Sequence, residues 1–235
     1  MNRKFLTDII FWGVVILCFL PFFISHSLLE AYKAFNMEHP MVMSFLKFAI
    51  LATLGEVIGL RIKTGRYSAV GFGVLPRAVV WGFLGLTIKM AFVVFASGVP
   101  VFLEKMGVEN ALKVMAKPFS ATKLLVAFSI SAAMNLIYAP VMMTLHRITD
   151  THIVSNGGSL SSLLKPIQFG KIMKEMDWGM QWHFVFKKTI PFFWIPAHTI
   201  TFLMPAEYRV LFAALLGIVL GILLAVAANK GASKP

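Results

Sequence analysis

The stretch Ala78–Pro100, AVVWGFLGLTIKMAFVVFASGVP, decides the fold. Its 23 residues carry a single charge, Lys89. A helix needs about 17–25 apolar residues to cross a bilayer. Three further stretches have that length and character: Met41–Leu60, Ala121–Leu145 and Val210–Ala228. Two more, Ile9–Ile24 and Ile190–Met204, are apolar but shorter. The expected fold is therefore all-α. It is a polytopic transmembrane helix bundle of about six membrane segments, forming one integral membrane domain over 1–235.

Composition agrees. The chain is 58% apolar and only 14% charged, where a soluble domain carries about a quarter charged residues. Mean hydropathy is +0.80. The net charge of +12 would suggest nucleic acid in a soluble protein. Here it fits basic loops retained on the cytoplasmic side of a membrane. No basic face with interleaved aromatics appears, so the expected partner is the lipid bilayer and not nucleic acid. One cysteine, Cys18, rules out an intrachain disulfide and a CxxC-type metal or redox site.

Ile9–Ile24 follows Arg3 and Lys4 and precedes Ser25-His26-Ser27. A secretory signal has the same shape, but the long Phe-rich centre favours a retained N-terminal helix. Ile190–Met204 contains Pro191 and Pro196 and is followed by Pro205. Proline removes a hydrogen bond from the helical ladder, so this segment is expected to be kinked or re-entrant. Orientation follows from the loop charges. With the N-terminus inside, inner segments hold Arg3, Lys4, Arg61, Lys63, Arg66, Arg77, Arg147, Lys165, Lys171, Lys174, Lys187, Lys188, Lys230 and Lys234, which is 14. Outer loops hold Lys33, Lys105, Lys113, Lys117 and Arg209, which is 5. Both termini are expected in the cytoplasm. No Arg- and Ser-rich transit segment precedes the first helix, which points to a bacterial inner membrane.

The long loop from His146 to Thr189 contains the turn Ser155-Asn156-Gly157-Gly158-Ser159. After Pro166, apolar residues at Phe169, Ile172, Met173, Met176 and Met180 fall at helical spacing, with Lys171, Lys174 and Glu175 on the other side. An amphipathic helix on the cytoplasmic side is expected there, lying on the membrane or packed on the bundle.

Polar groups within a bilayer are costly and mark candidate sites. Lys47 is close enough to a helix end to snorkel, and Lys123 sits at a helix start. Lys89 is about 16 Å from either end of its stretch. It shares a face with Gly82, Gly85 and Ala96. Glu56 is flanked by Ala52, Gly55 and Gly59, so a Glu56–Lys89 ion pair between neighbouring helices is expected. Asn135 follows Ala127 and Ser131 at steps of four and is expected to hydrogen-bond between helices. His198 is expected to bond carbonyls freed in the proline-rich segment. Gly217-x-x-x-Gly221, followed by Ala225, fits dimerisation or packing within one chain. His146 and His152 bracket Thr149-Asp150-Thr151, which is not a zinc spacing. No catalytic motif, cofactor site or metal site is read, and no enzymatic activity is expected.

These local patterns occur in an order that resembles the Mpv/PMP family of small peroxisomal and mitochondrial inner-membrane proteins, which has bacterial relatives. The matching positions are Tyr32, His39-Pro40, Gly55-Glu56, Arg77 with Gly82, and Met134-Asn135 before Ile137-Tyr138-Ala139-Pro140. Trp194, Pro196, His198, Thr201-Phe202, Pro205 and Tyr208-Arg209 follow. The resemblance covers Tyr32 to Ala228, leaving Ile9–Ile24 as an extra helix ahead of a 32–228 core. Where the family has Asp, Gln and Asn, this chain has Glu56, His198 and Thr201, and Met134 replaces an acid. The resemblance implies a helical membrane protein of a group suspected of forming channels for small solutes. Channel-like small-solute permeation is thus the leading expectation, with a non-transporting scaffold or stress-related structural protein and an intramembrane lipid-handling protein or enzyme as alternatives. The candidate pore or buried polar network is Glu56, Lys89, Asn135, His198 and Arg209, and a homo-oligomer is compatible with the sequence.

Overall fold

A computed structural model describes residues 3–232, with side chains over 4–223. It is helical, with no strand among the described residues. The helices are α1 Arg3–Phe19, α2 Pro21–Ile24, α3 His26–Glu38, α4 Pro40–Thr64, α5 Val74–Lys105, α6 Ala111–Val114, α7 Ala121–Ser155, α8 Phe169–Glu175, α9 Trp178–Met180, α10 Ile195–Leu203 and α11 Ala206–Ala232. A 3₁₀ turn spans Leu160–Leu164, and a wide π-type stretch spans Gln181–Trp194.

Five helical segments are long and apolar enough to cross a membrane: Lys4–Ile24, Pro40–Thr64, Val74–Lys105, Ala121–Ser155 and Ala206–Leu223. They make the chain an all-α protein with the character of an integral membrane protein. The proline-rich stretch is not among them. Its helical backbone changes from π-type to α at Trp194–Ile195 and ends before Pro205. Pro191 lies inside the π-type part and Pro196 in the first turn of α10. The helix runs without interruption from Trp178 to Leu203, so the prolines coincide with a widened hydrogen-bond pattern and not with a gap in the helix.

The contacts divide the chain into two units, Met1–Met43 and Ser44–Pro235. In the first, Ser25 separates α2 from α3 and caps α3 by accepting from the Leu28 N–H. Lys33 Nζ donates to Glu30 Oε1 at 2.8 Å on the exposed face of α3.

In the second unit, glycines set how closely helices approach. A Cβ on Gly82 would lie 2.4 Å from the Phe45 ring, and one on Gly85 would lie 2.7 Å from Phe48 Cβ. These contacts seat α4 against α5. Gly55 faces the Gly217–Ile218 backbone, and Gly59 faces Gly221. The Gly217-x-x-x-Gly221 face is thus used within the chain, against a matching Gly55-x-x-x-Gly59 on α4. Ala225 and Lys230 lie where only backbone is described, and Lys234 lies outside the described residues.

α7 packs against α5 and α10. Val126, Ala127, Ile130 and Ser131 on it are fully buried. α5 and α7 have 32 and 35 residues. At 1.5 Å per residue both exceed a hydrocarbon core of about 30 Å. They must tilt or project beyond it. The amphipathic helix expected after Pro166 forms as α8, with Ile172 buried. It ends at Glu175, short of Met176 and Met180.

Candidate functional site

At one end of the second unit, α4, α5 and α7 bring four charged or titratable side chains together. Arg77 lies in the first turn of α5. Its Nη1 donates to Glu56 Oε2 and to Asp150 Oδ1, each at 2.6 Å. Its Nε donates to the Phe72 carbonyl at 2.7 Å, and the guanidinium lies 4.5 Å from the centre of the Phe72 ring. The other Glu56 oxygen accepts from Trp81 Nε1 at 2.8 Å and lies 3.0 Å from His146 Nε2. His146 is also 3.6 Å from Asp150, and its ring lies 4.3 Å from that of Trp81. The four side chains are 8–21% exposed, so little water screens them.

Local structure explains the assembly. α4 and α5 are joined by a short loop and run antiparallel. Glu56, eight residues from the end of α4, therefore meets the start of α5. Arg77 and Trp81 are one helical turn apart and share a face. His146 and Asp150 have the same relation on α7. Phe72 is held between Gly71 and Gly73, at φ +79° and +70°. Only glycine adopts such angles without strain. A Cβ at Gly73 would also lie 2.9 Å from Gly158 Cα, so the loop before α5 closes against the turn after α7.

With a neutral imidazole the cluster has one positive and two negative charges. A protonated His146 makes it neutral overall. Glu56, His146 and Asp150 present ligand atoms within 4.8 Å of one another, a spacing that suits a divalent cation. Arg77, however, already stands between the carboxylates and supplies the positive charge. A metal ion would have to displace it.

Of the residues singled out from sequence, Glu56 lies at the centre of this cluster. Lys89 does not pair with it. The α4–α5 register sets Phe45 against Gly82, Phe48 against Gly85, and Glu56 against Arg77 and Trp81. Continued in the other direction, it brings Lys89 to Lys47, its charged neighbour. Lys47 is itself buried, at 6% exposure, and does not extend to a surface. Asn135 is buried, but its Nδ2 bonds back to Ser131 within α7. The bond between helices is made by Ser131 Oγ, which donates to the Ile195 carbonyl at 2.7 Å. His198 packs among rings, stacked on Trp194 at 5.2 Å with Phe92 edge-on at 5.5 Å. Its Nδ1 lies 3.4 Å from Thr201 Oγ1. Arg209 closes the end of α10, donating to the Met204 and Phe202 carbonyls at 3.0 and 3.1 Å. It is a helix cap and not part of the charged cluster.

Sequence reasoning missed Asp150, Trp81 and the role of His146, and counted Arg77 only as a loop charge and a family position. The His146–Asp150 spacing of four was the signal available. Comparison with known protein families, curated proteins and solved structures finds no match.

Proposed function

We propose that this chain is a channel-like membrane protein that passes a small polar solute, with the Arg77 cluster at one mouth of its path. The observation that carries the reading is a polar stripe on α7. Ser131, Asn135, Tyr138, His146 and Asp150 follow at steps of four, three, eight and four, which keeps them near one face. The stripe is about 28 Å long, close to the thickness of a hydrocarbon core. Tyr138 meets Thr87 of α5 at 2.7 Å, and Ser131 meets the partly π-type Trp178–Leu203 segment at Ile195. Trp194 Nε1 and Gln181 Nε2 in that segment are buried without a partner among the described residues. Buried donors of this kind call for water or a solute. Irregular helix at membrane depth is tolerated where it is buried or lines a cavity. The reading agrees with the resemblance to the Mpv/PMP family. The loop charges favour a bacterial inner membrane with both termini inside, an orientation that requires the proline-rich stretch to make a sixth crossing beside the five membrane-length helices.

Flux of small polar solutes into proteoliposomes of the full chain tests it, with planar-bilayer conductance beside it. Uptake above empty liposomes is expected, with selectivity altered by Asp150→Asn. Uptake equal to empty liposomes for every solute and ion tried would sink the reading.

One observation favours a non-transporting scaffold instead. Each charge of the cluster is paired within the chain, as a purely structural network requires. That reading predicts that Asp150→Asn lowers stability and leaves flux at the background level.

A further inference from the structure

We propose that the segment from Lys165 to Lys188 is a bilayer-surface platform that selects anionic phospholipid headgroups. It contains five lysines, Lys165, Lys171, Lys174, Lys187 and Lys188, all exposed. None makes an ion pair or side-chain hydrogen bond among the described residues. The acids within it are Glu175 and Asp177, and five against two leaves a net charge of +3. The Asp177 carboxylate is occupied, accepting from the Met180 N–H at 2.8 Å.

Apolar side chains are exposed on the same segment. Trp178 is 42% and Trp182 58% exposed, beside Phe169 at 46% and Met180 at 59%. Tryptophans in such a setting settle at headgroup level, with the ring in the apolar boundary. Lysine stems lie along that boundary and hold their ammonium groups among the phosphates. A soluble acidic partner would account for the lysines but not for the exposed rings.

Position supplies the rest. The segment begins after α7, a membrane-length helix, and runs into the apolar Ile190–Met204 stretch. Both ends therefore hold it at one face of the bilayer. Ile172 is buried and α8 packs against α7, so the platform is fixed to the bundle. Trp178 Nε1 donates to the Met173 carbonyl at 2.8 Å, which ties the turn after α8 back onto it. Basic side chains this close to an anionic surface each raise affinity severalfold, and the effect weakens with salt.

Lipids retained by the full chain from mixtures of phosphatidylglycerol and phosphatidylcholine, counted by native mass spectrometry, test the proposal. The wild type is expected to retain phosphatidylglycerol preferentially. A variant with Lys165→Gln, Lys171→Gln, Lys174→Gln, Lys187→Gln and Lys188→Gln is expected to lose about tenfold or more of that preference. Lys105→Gln, Lys113→Gln and Lys117→Gln together, at the opposite ends of α5 and α7, are expected to keep it. Equal retention of both lipids by the wild type overturns the proposal, and so does an unchanged preference in the fivefold variant. Quenching of Trp178 and Trp182, isolated by subtracting a Trp178→Phe/Trp182→Phe variant, gives a second measure. Quenching by brominated phosphatidylglycerol supports the platform. Quenching by aqueous iodide alone refutes it and leaves a soluble acidic partner as the occupant.

Discussion

Replacing Arg77 with methionine should destabilise the protein more than removing either carboxylate it holds. Arg77 donates at 2.6 Å to both Glu56 and Asp150 and is 8% exposed. Arg77→Met leaves two carboxylates close together with only His146 to offset them. Breaking a buried ion pair from one side costs about 3–5 kcal/mol, and two stranded carboxylates put this variant at the upper end. Glu56→Gln keeps an acceptor for Trp81 and leaves the Arg77–Asp150 pair intact. Its cost is that of weakened charged hydrogen bonds, about 1–3 kcal/mol. Asp150→Asn belongs in the same range. For a chain of this size, about 2–4 °C of melting temperature accompanies each kcal/mol. Arg77→Met should then lower melting in detergent by about 10–20 °C, and Glu56→Gln by the smaller amount of about 2–12 °C. The deciding measurement is the double variant. Glu56→Gln added to Arg77→Met removes one stranded charge, so it should melt at or above Arg77→Met alone. If the two losses simply add, the groups are not coupled and the cluster is misread. Lys89→Met should not rescue Glu56→Gln, because Lys89 faces Lys47 and not the cluster.

The glycines of α4 should separate sharply: Gly55→Ala should destabilise, since its Cβ would lie 2.9 Å from Ile218 Cα, whereas Gly59→Ala, with 3.5 Å to the Gly221 carbonyl, should be tolerated in the same melting assay. Arg209→Gln should cost about 1–3 kcal/mol by freeing the Met204 and Phe202 carbonyls, and amide hydrogen exchange should rise first at the α10–α11 junction.

Much of the fold is determined by sequence through a one-dimensional property. A run such as Ala78–Pro100 must bury its backbone polar groups in its own helix wherever it meets lipid. Length and hydropathy therefore suffice to find four of the five membrane-length helices, and the prolines mark the stretch where the hydrogen-bond pattern of the helix changes. The fifth helix, Lys4–Ile24, extends beyond the shorter apolar stretch because helical backbone does not stop where hydropathy falls. Glu56 was also legible, since a carboxylate in an apolar run needs a reason wherever it points.

Its partner was not legible. Lys89 is the most deeply placed charge on α5, and depth along one helix made it the natural candidate. Partnership depends on register between helices, and Phe45 and Phe48 seated over Gly82 and Gly85 fix that register. It puts Glu56 level with Arg77, one turn into α5, and draws in His146 and Asp150 from a helix 90 residues further along the chain. Asn135 and Arg209 were located for the same reason and misassigned for the same reason. Their positions follow from the sequence, but whether a polar group bonds its own helix, a neighbouring helix or a helix end is decided only when the helices pack.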